Sequence, residues 1–109
     1  MKKLEAIIRP ARLDDVKEAL THEGFVEMTI SEVKGCAAGD AHLEMYRGAE
    51  YVVDLLPKIK IELVVGDAVA DRVVDLIRRS ARTGQRGDGA TFVLPVEDAI
   101  RIGNGERML

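Results

Sequence analysis

A chain of 109 residues that is 47% hydrophobic and 32% charged suits one globular domain rather than two, and at this size a domain often gains from association. Its formal net charge of -3 gives no general attraction for phosphate backbones, which argues against nucleic acid as a partner. The lone Cys36 cannot form an internal disulfide, the first residues form no apolar signal segment, and no apolar run approaches the length of a membrane span, so a cytoplasmic protein with no direct membrane insertion is expected.

The first predicted element is a strand. Leu4, Ala6 and Ile8 fall on one side of an extended segment, Glu5, Ile7 and Arg9 fall on the other, and Pro10 ends it. From Arg12 to Glu23, Leu13, Val16, Ala19 and Leu20 recur at helical spacing, with Asp14 and Asp15 in the first turn, where the helix dipole favours negative charge. Gly24 stops this helix. Thr29 to Val33 reads as a second strand, and Lys58 to Val65 as a third with Ile59, Ile61, Leu63 and Val65 on one face. These two strands would form a hairpin with a very long loop, from about residue 36 to 56. Connections of that length in compact domains are usually functional or disordered, and this one lacks the Ser/Pro bias of a passive linker, which favours a loop that contacts a partner.

After Gly66, Asp67 is the expected N-cap of a second helix with Val69, Val73, Leu76 and Ile77 as its apolar stripe. Arg78, Arg79 and Arg82 suit the negative end of that helix. Thr83 to Gly89 carries three glycines and reads as a loop, after which Thr91 to Leu94 returns to strand character. A short extra strand or turn is expected around Ala99 to Ile102. The order βαββαβ places two helices on one face of an antiparallel sheet, an α+β, ferredoxin-like sandwich forming a single domain over residues 1–109. The other face would carry Glu5, Ile7, Glu32, Lys34, Lys60, Glu62 and Val64. Periodicity alone leaves open whether that face is solvated or an oligomer interface.

The run Tyr46 to Glu62, YRGAEYVVDLLPKIKIE, closely resembles the signature loop and following strand of the PII (GlnB/GlnK) signal-transduction proteins. The segments KKLEAIIRPARLDDVKEAL, SEVKG and RTGQRGDG fit the same family in order and spacing, so the resemblance covers nearly the whole chain. It implies a homotrimer whose sheets line the centre of the assembly, with ATP or ADP bound in clefts between subunits. The long segment 36–56 matches the family's T-loop, which docks on a membrane transporter or a metabolic or regulatory enzyme. Tyr51 falls at the position uridylylated in many proteobacterial members, where a cognate uridylyltransferase adds an anionic group that blocks or remodels docking. The alternative is a surface tyrosine that merely packs in one conformer.

Glycines in residues 82–89 leave backbone N–H groups uncovered, so they can surround phosphate oxygens, although a Gly-rich turn alone is a weak signal that matches neither a Walker A nor a GxGxxG pattern. Within the resemblance, Gly87, Asp88 and Gly89 match the B-loop that contacts the nucleotide polyphosphate. Arg101, in the C-terminal segment 99–109, matches a phosphate contact supplied across the subunit boundary. Thr29, Gly35 and Val64 match positions lining the adenine and ribose pocket, and Lys58 matches the lysine that pairs with a 2-oxoglutarate carboxylate.

Departures from the family pattern mark this chain as a divergent member. Ala90 stands where a lysine is usual and Gly103 where an arginine is usual, both phosphate-binding cations. Their loss weakens polyphosphate binding unless Arg86, Arg82 or Arg107 substitutes. Gly39 stands in place of a glutamine that helps ligate magnesium, and Ala37, Ala38 and Ala41 offer no side-chain oxygen nearby, although Asp40 could approach if the loop rearranged. Standard sensing of 2-oxoglutarate with Mg-ATP is therefore in doubt. The expected function is a PII-type regulator that binds adenine nucleotide. The alternative is a divergent paralogue sensing ADP, AMP or bicarbonate in carbon metabolism or other transport. Cys36, Asp40, His42 and Glu44 match no established metal spacing, and no catalytic constellation is readable, so no enzyme is expected.

Overall fold

The computed structural model describes residues 1–36, 43–46, 49–52 and 55–108, with side chains described for 1–36 and 55–108. Its elements run β1 (Lys2–Ile8), a 3-10 turn (Pro10–Arg12), α1 (Leu13–His22), β2 (Thr29–Gly35), β3 (Leu43–Tyr46), β4 (Ala49–Val52), β5 (Leu56–Val65), α2 (Asp67–Ala81) and β6 (Gly89–Pro95). The main sheet has four strands in the order β2-β5-β1-β6, and β3 pairs with β4 in a separate two-stranded ladder. All pairings in the main sheet are antiparallel. This is the ferredoxin-like arrangement read from the sequence, with β3 and β4 as additions inside the long connection.

Both helices cover one sheet face. Alternation in β1 and β5 sends Leu4, Ala6 and Ile8, and Ile59, Ile61, Leu63 and Val65, into one core with Val16 and Leu20 of α1. Gly24 takes a positive φ of 90° just beyond α1, which lets the chain leave the helix where a side chain would be strained. The N-terminal end of α2 differs from expectation. Gly66 is its N-cap, Asp67 is already the first helical residue, and no side-chain capping bond forms. The buried stripe of α2 is Ala70, Val73, Ile77 and Ala81, while Val69 and Leu76 pack at its margins. Ala70 and Ala81 are buried on that line without side-chain entropy cost.

The opposite sheet face also needs a correction. Glu32 pairs with the core residue Ile59, and Thr29 pairs with Glu62. Paired residues share a face, so β2 contributes Thr29, Ser31 and Val33 to the open face. Ile30, Glu32 and Lys34 lie on the helix side, exposed because β2 is an edge strand beyond the helices' reach. A one-residue offset inverts every side chain of a strand, and the sparse apolar content of TISEVKG gave little to choose between registers. The centre of the open face is a closed ion network. Lys3 Nζ lies 2.8 Å from Glu62 and 3.1 Å from Glu5, and Lys60 Nζ lies 3.4 Å from Glu62 and 3.9 Å from Glu5. The two hydrogen-bonded carboxylates raise the Lys3 ammonium above its ordinary pKa, and Lys3 lowers Glu62. The network balances its own charge, while Phe92 and Leu94 of β6 stay exposed beside it.

The C-terminal segment folds back on itself. Ile100 bridges to Arg107, and the backbone N–H of Arg101 donates to the Glu106 carbonyl at 2.8 Å. The expected short strand or turn at 99–102 is thus one limb of a compact turn. No described helix is long and apolar enough to cross a membrane.

Candidate functional site

The loop of residues 82–89 is fixed from within by one carboxylate. Asp88 Oδ2 accepts the backbone N–H groups of Thr83 at 2.9 Å and Gly84 at 3.0 Å, and Oδ1 accepts the Thr83 hydroxyl. The Thr83 hydroxyl oxygen in turn accepts the N–H of Gln85 at 3.2 Å. These bonds to the charged form, led by the Thr83 hydroxyl and joined by Arg9, hold the Asp88 carboxyl well below the ordinary carboxylate range. The Asp88 side chain therefore turns inward and shapes the loop.

Three cations secure the loop's carbonyls from outside. Arg9, at the end of β1, donates Nε–H to Asp88 Oδ1 at 3.0 Å and a second N–H to the carbonyl of Arg86. Lys58 Nζ donates to the Gly87 carbonyl at 2.9 Å, and Arg12 reaches the Arg82 carbonyl at 3.4 Å. None of these bonds uses the N–H of Arg86 or Gly87. The loop is consequently held in shape while, among the described residues, these two adjacent amide donors stay uncommitted, at a glycine with φ of 87°. Such successive donors form an anion-accepting concavity.

Gly89 has a stricter role. Its φ is 106°, and a Cβ built there would lie 1.7 Å from the Ile7 carbonyl oxygen. Only glycine permits the loop to enter β6 this close to β1.

Lys58 is 7% exposed, the one buried charged residue among those described. Its position near the start of β5 places it at the exit of the long connection, so its bond to Gly87 ties that exit to the Gly-rich loop. The sequence marked Lys58 as an anion partner; here the ammonium is held on a backbone carbonyl. Arg9 was not singled out by sequence reasoning, because an arginine after a strand has no local signal of a bond to residues 86 and 88.

Thr29 and Val64 come together on the open sheet face, lining a concavity of about 360 Å³ with Lys3, Glu62 and Met108. Gly35 ends β2 opposite Leu56, and its missing Cβ faces open space. Arg101 is exposed on the C-terminal turn beside Ile102 and Asn104. The chain thus offers the expected nucleotide residues as separate clusters: Gly87–Gly89 with Lys58, Thr29 with Val64, and Arg101.

Among the three candidate replacement cations, Arg107 is engaged by Asp98, while Arg82 and Arg86 are exposed. Ala90 is exposed as well, and a Cβ at Gly103 would meet nothing within 4 Å, so neither position lacks a cation for want of room. Tyr51 lies in β4, its backbone paired with Glu44 of β3. Gly39, with its neighbours Ala37, Ala38, Asp40, Ala41 and His42, falls outside the described residues. Among the described residues no three His, Cys, Asp or Glu side chains gather as a metal site.

Comparison with known proteins adds the family context. Residues 1–106 match the family model described as nitrogen regulatory protein P-II. The chain is 56% identical over 106 residues to a nitrogen regulatory protein P-II of Bradyrhizobium diazoefficiens, covering 97% of this chain and 95% of that protein. It is 55% identical over 107 residues to the protein of that name from Rhodospirillum rubrum, covering 98% and 96%. Against nitrogen regulatory protein P-II 1 of Escherichia coli K12 the identity is 56% over 106 residues, with coverage of 97% and 95%.

Proposed function

The chain belongs to the nitrogen regulatory protein P-II family, and from that membership we propose that it is a homotrimeric signalling protein that binds ADP or ATP between subunits and controls a partner through its T-loop. The observation that carries this reading is the loop 82–89, braced by Asp88, Arg9, Arg12 and Lys58 through bonds that leave the N–H groups of Arg86 and Gly87 unused. An anion meeting such a loop encounters donors already in place and needs little reorganisation. Thr29, Gly35 and Val64 would line the base and sugar pocket, and Arg101 would reach the phosphates of a neighbouring subunit's nucleotide. The closed ion network and the exposed Phe92 and Leu94 suit the sheet face to burial against other copies, since its charges are already paired before water is removed.

The regulatory step is differential binding. A nucleotide can bias the T-loop only through contacts that differ between loop conformers, and the Lys58–Gly87 bond, which ties the start of β5 to the Gly-rich loop, would be one such contact. The partner is a membrane transporter or a nitrogen-metabolism enzyme, and a uridylyl group on Tyr51 would add negative charge to the docking loop.

A second reading is favoured by Ala90 and Gly103, positions with room for a cation and none present. In that reading the protein is a paralogue tuned to ADP, AMP or bicarbonate, without standard Mg-ATP and 2-oxoglutarate sensing.

Light scattering together with calorimetry against ATP, ADP and AMP, each with and without magnesium, 2-oxoglutarate or bicarbonate, separates the two. The first reading expects a trimer with saturable ADP or ATP binding. Magnesium-dependent synergy between ATP and 2-oxoglutarate would refute the second. A trimer that binds no adenine nucleotide at millimolar concentration would refute nucleotide sensing altogether. Phosphate release above background over many turnovers would overturn the reading as a regulator without catalysis.

A further inference from the structure

A cleft of about 350 Å³ opens between the C-terminal half of α2 and the edge strand β6. It lies on the helix side of the sheet, because Gly89 pairs with the core residue Ile8. Lys58, Thr29 and Val64 belong to the opposite face, so the cleft lies across the sheet from them and meets the nucleotide site proposed above only along Asp88, Gly89 and Ala90. Ile8, Val74 and Ala81 supply apolar wall, and Arg78 and Arg82 stand at it as cations.

Arg78 lies in the last turn of α2 and Arg82 is the residue that caps it, one helical turn apart on one flank. Neither guanidinium has an ion pair or hydrogen bond among the described residues. The neighbouring arginines of the same helix are differently placed: Arg79 pairs with Asp75 at 2.9 Å, and Arg72 pairs with Glu23. Asp88 also borders the cleft, but its oxygens are claimed by Thr83, Gly84 and Arg9, so it cannot neutralise the two arginines without releasing the loop. The dipole of α2 favours positive charge at this end, yet it accounts for neither the cavity nor the apolar wall.

We propose that this cleft binds a small organic carboxylate, its anionic head on Arg78 and Arg82 and its apolar body against Ile8, Val74 and Ala81. Guanidinium groups match a carboxylate in a bidentate fork, and the volume is within the range of small-molecule sites. An occupant would touch Asp88, Gly89 and Ala90, the segment that carries the Gly-rich loop into β6. The cleft is thus a second effector position acting on that loop from behind.

The test uses 2-naphthoate as probe and neutral 2-naphthamide as its uncharged counterpart, followed by naphthalene fluorescence. The chain has no tryptophan, so the probe is read without indole emission. Saturable binding of naphthoate, about tenfold tighter than naphthamide, is expected. Arg78→Ala and Arg82→Ala should each weaken naphthoate several-fold, and Val74→Phe should abolish it by filling the cleft. Arg79→Ala, outside the cleft, should leave it unchanged, with thermal melts confirming that each variant folds. Equal affinity for the two probes, indifference to both cleft arginines, or no saturation at millimolar naphthoate would overturn the proposal. So would one-for-one displacement of naphthoate by ADP, which would place the probe in the nucleotide site instead.

Discussion

Replacing Gly89 with alanine tests the close approach of β6 to the backbone of β1. The added Cβ would fall 1.7 Å from the Ile7 carbonyl oxygen and 2.8 Å from its carbonyl carbon. Neither is the movable end of a side chain, so β1 and β6 must part where Ile8 pairs with Gly89. Forcing an L-residue to positive φ costs about 1–2 kcal/mol, and overpacking against fixed neighbours adds about 1–3 kcal/mol. A loss of roughly 3 kcal/mol corresponds to a fall in Tm of about 10–20 °C for a domain of this size. Gly84→Ala provides the control. Its φ is 88°, but its Cβ would meet nothing within 4 Å, so only the conformational cost applies and the fall should be about half as large. Melts followed by circular dichroism at one fixed protein concentration compare the two without interference from assembly. If Gly89→Ala melted within about 2 °C of the parent, or fell no further than Gly84→Ala, the steric reasoning would be wrong.

Asp88 has its folded pKa depressed below the ordinary value of 3.8, so its stabilisation is fully present above that value and fades as pH falls towards the folded pKa. Urea unfolding between pH 3 and 7 should show an acid limb that is smaller in Asp88→Asn. Lys58→Met leaves the Gly87 carbonyl without its donor, at a cost of about 1–3 kcal/mol, and hydrogen exchange should accelerate first at residues 84–88. Unchanged exchange there would show that the tie does not organise the loop. Ala90→Lys and Gly103→Arg restore cations where space exists; under the proposed function each should tighten ATP binding about tenfold or more by calorimetry. No gain from either would mean that other groups already supply that charge.

The strongly patterned elements were legible because burial imposes a clean period on them. Leu4, Ala6 and Ile8, and Ile59 to Val65 in alternation, name their own buried face, and the pairing of β1 with β5 follows from two such strands. TISEVKG was not legible in the same way: its only large aliphatics, Ile30 and Val33, sit at odd spacing, and its face is decided by pairing with Glu62 and Ile59. The loop 82–89 announced itself by its glycines, but its bracing did not. Arg9 and Lys58 lie far from it in sequence, and only the closure of β1 and β5 beside β6 brings their cations to its carbonyls. Asp88 was correctly placed in the loop, yet its side chain serves the loop's own amides, a choice set by geometry across five residues rather than by residue type.

The antiparallel pairing of β2 with β5 across the connection from Gly35 to Leu56 has a consequence for how the protein can change. The free energy of closing a connection grows only with the logarithm of its length, so doubling one of about 20 residues adds roughly 0.6 kcal/mol. The core draws its cohesion from β1, β5 and the two helices, none of which lies within that connection. Insertions, deletions and substitutions there can accumulate at little expense to the scaffold. The connection is therefore free to diversify while the domain that presents it stays the same.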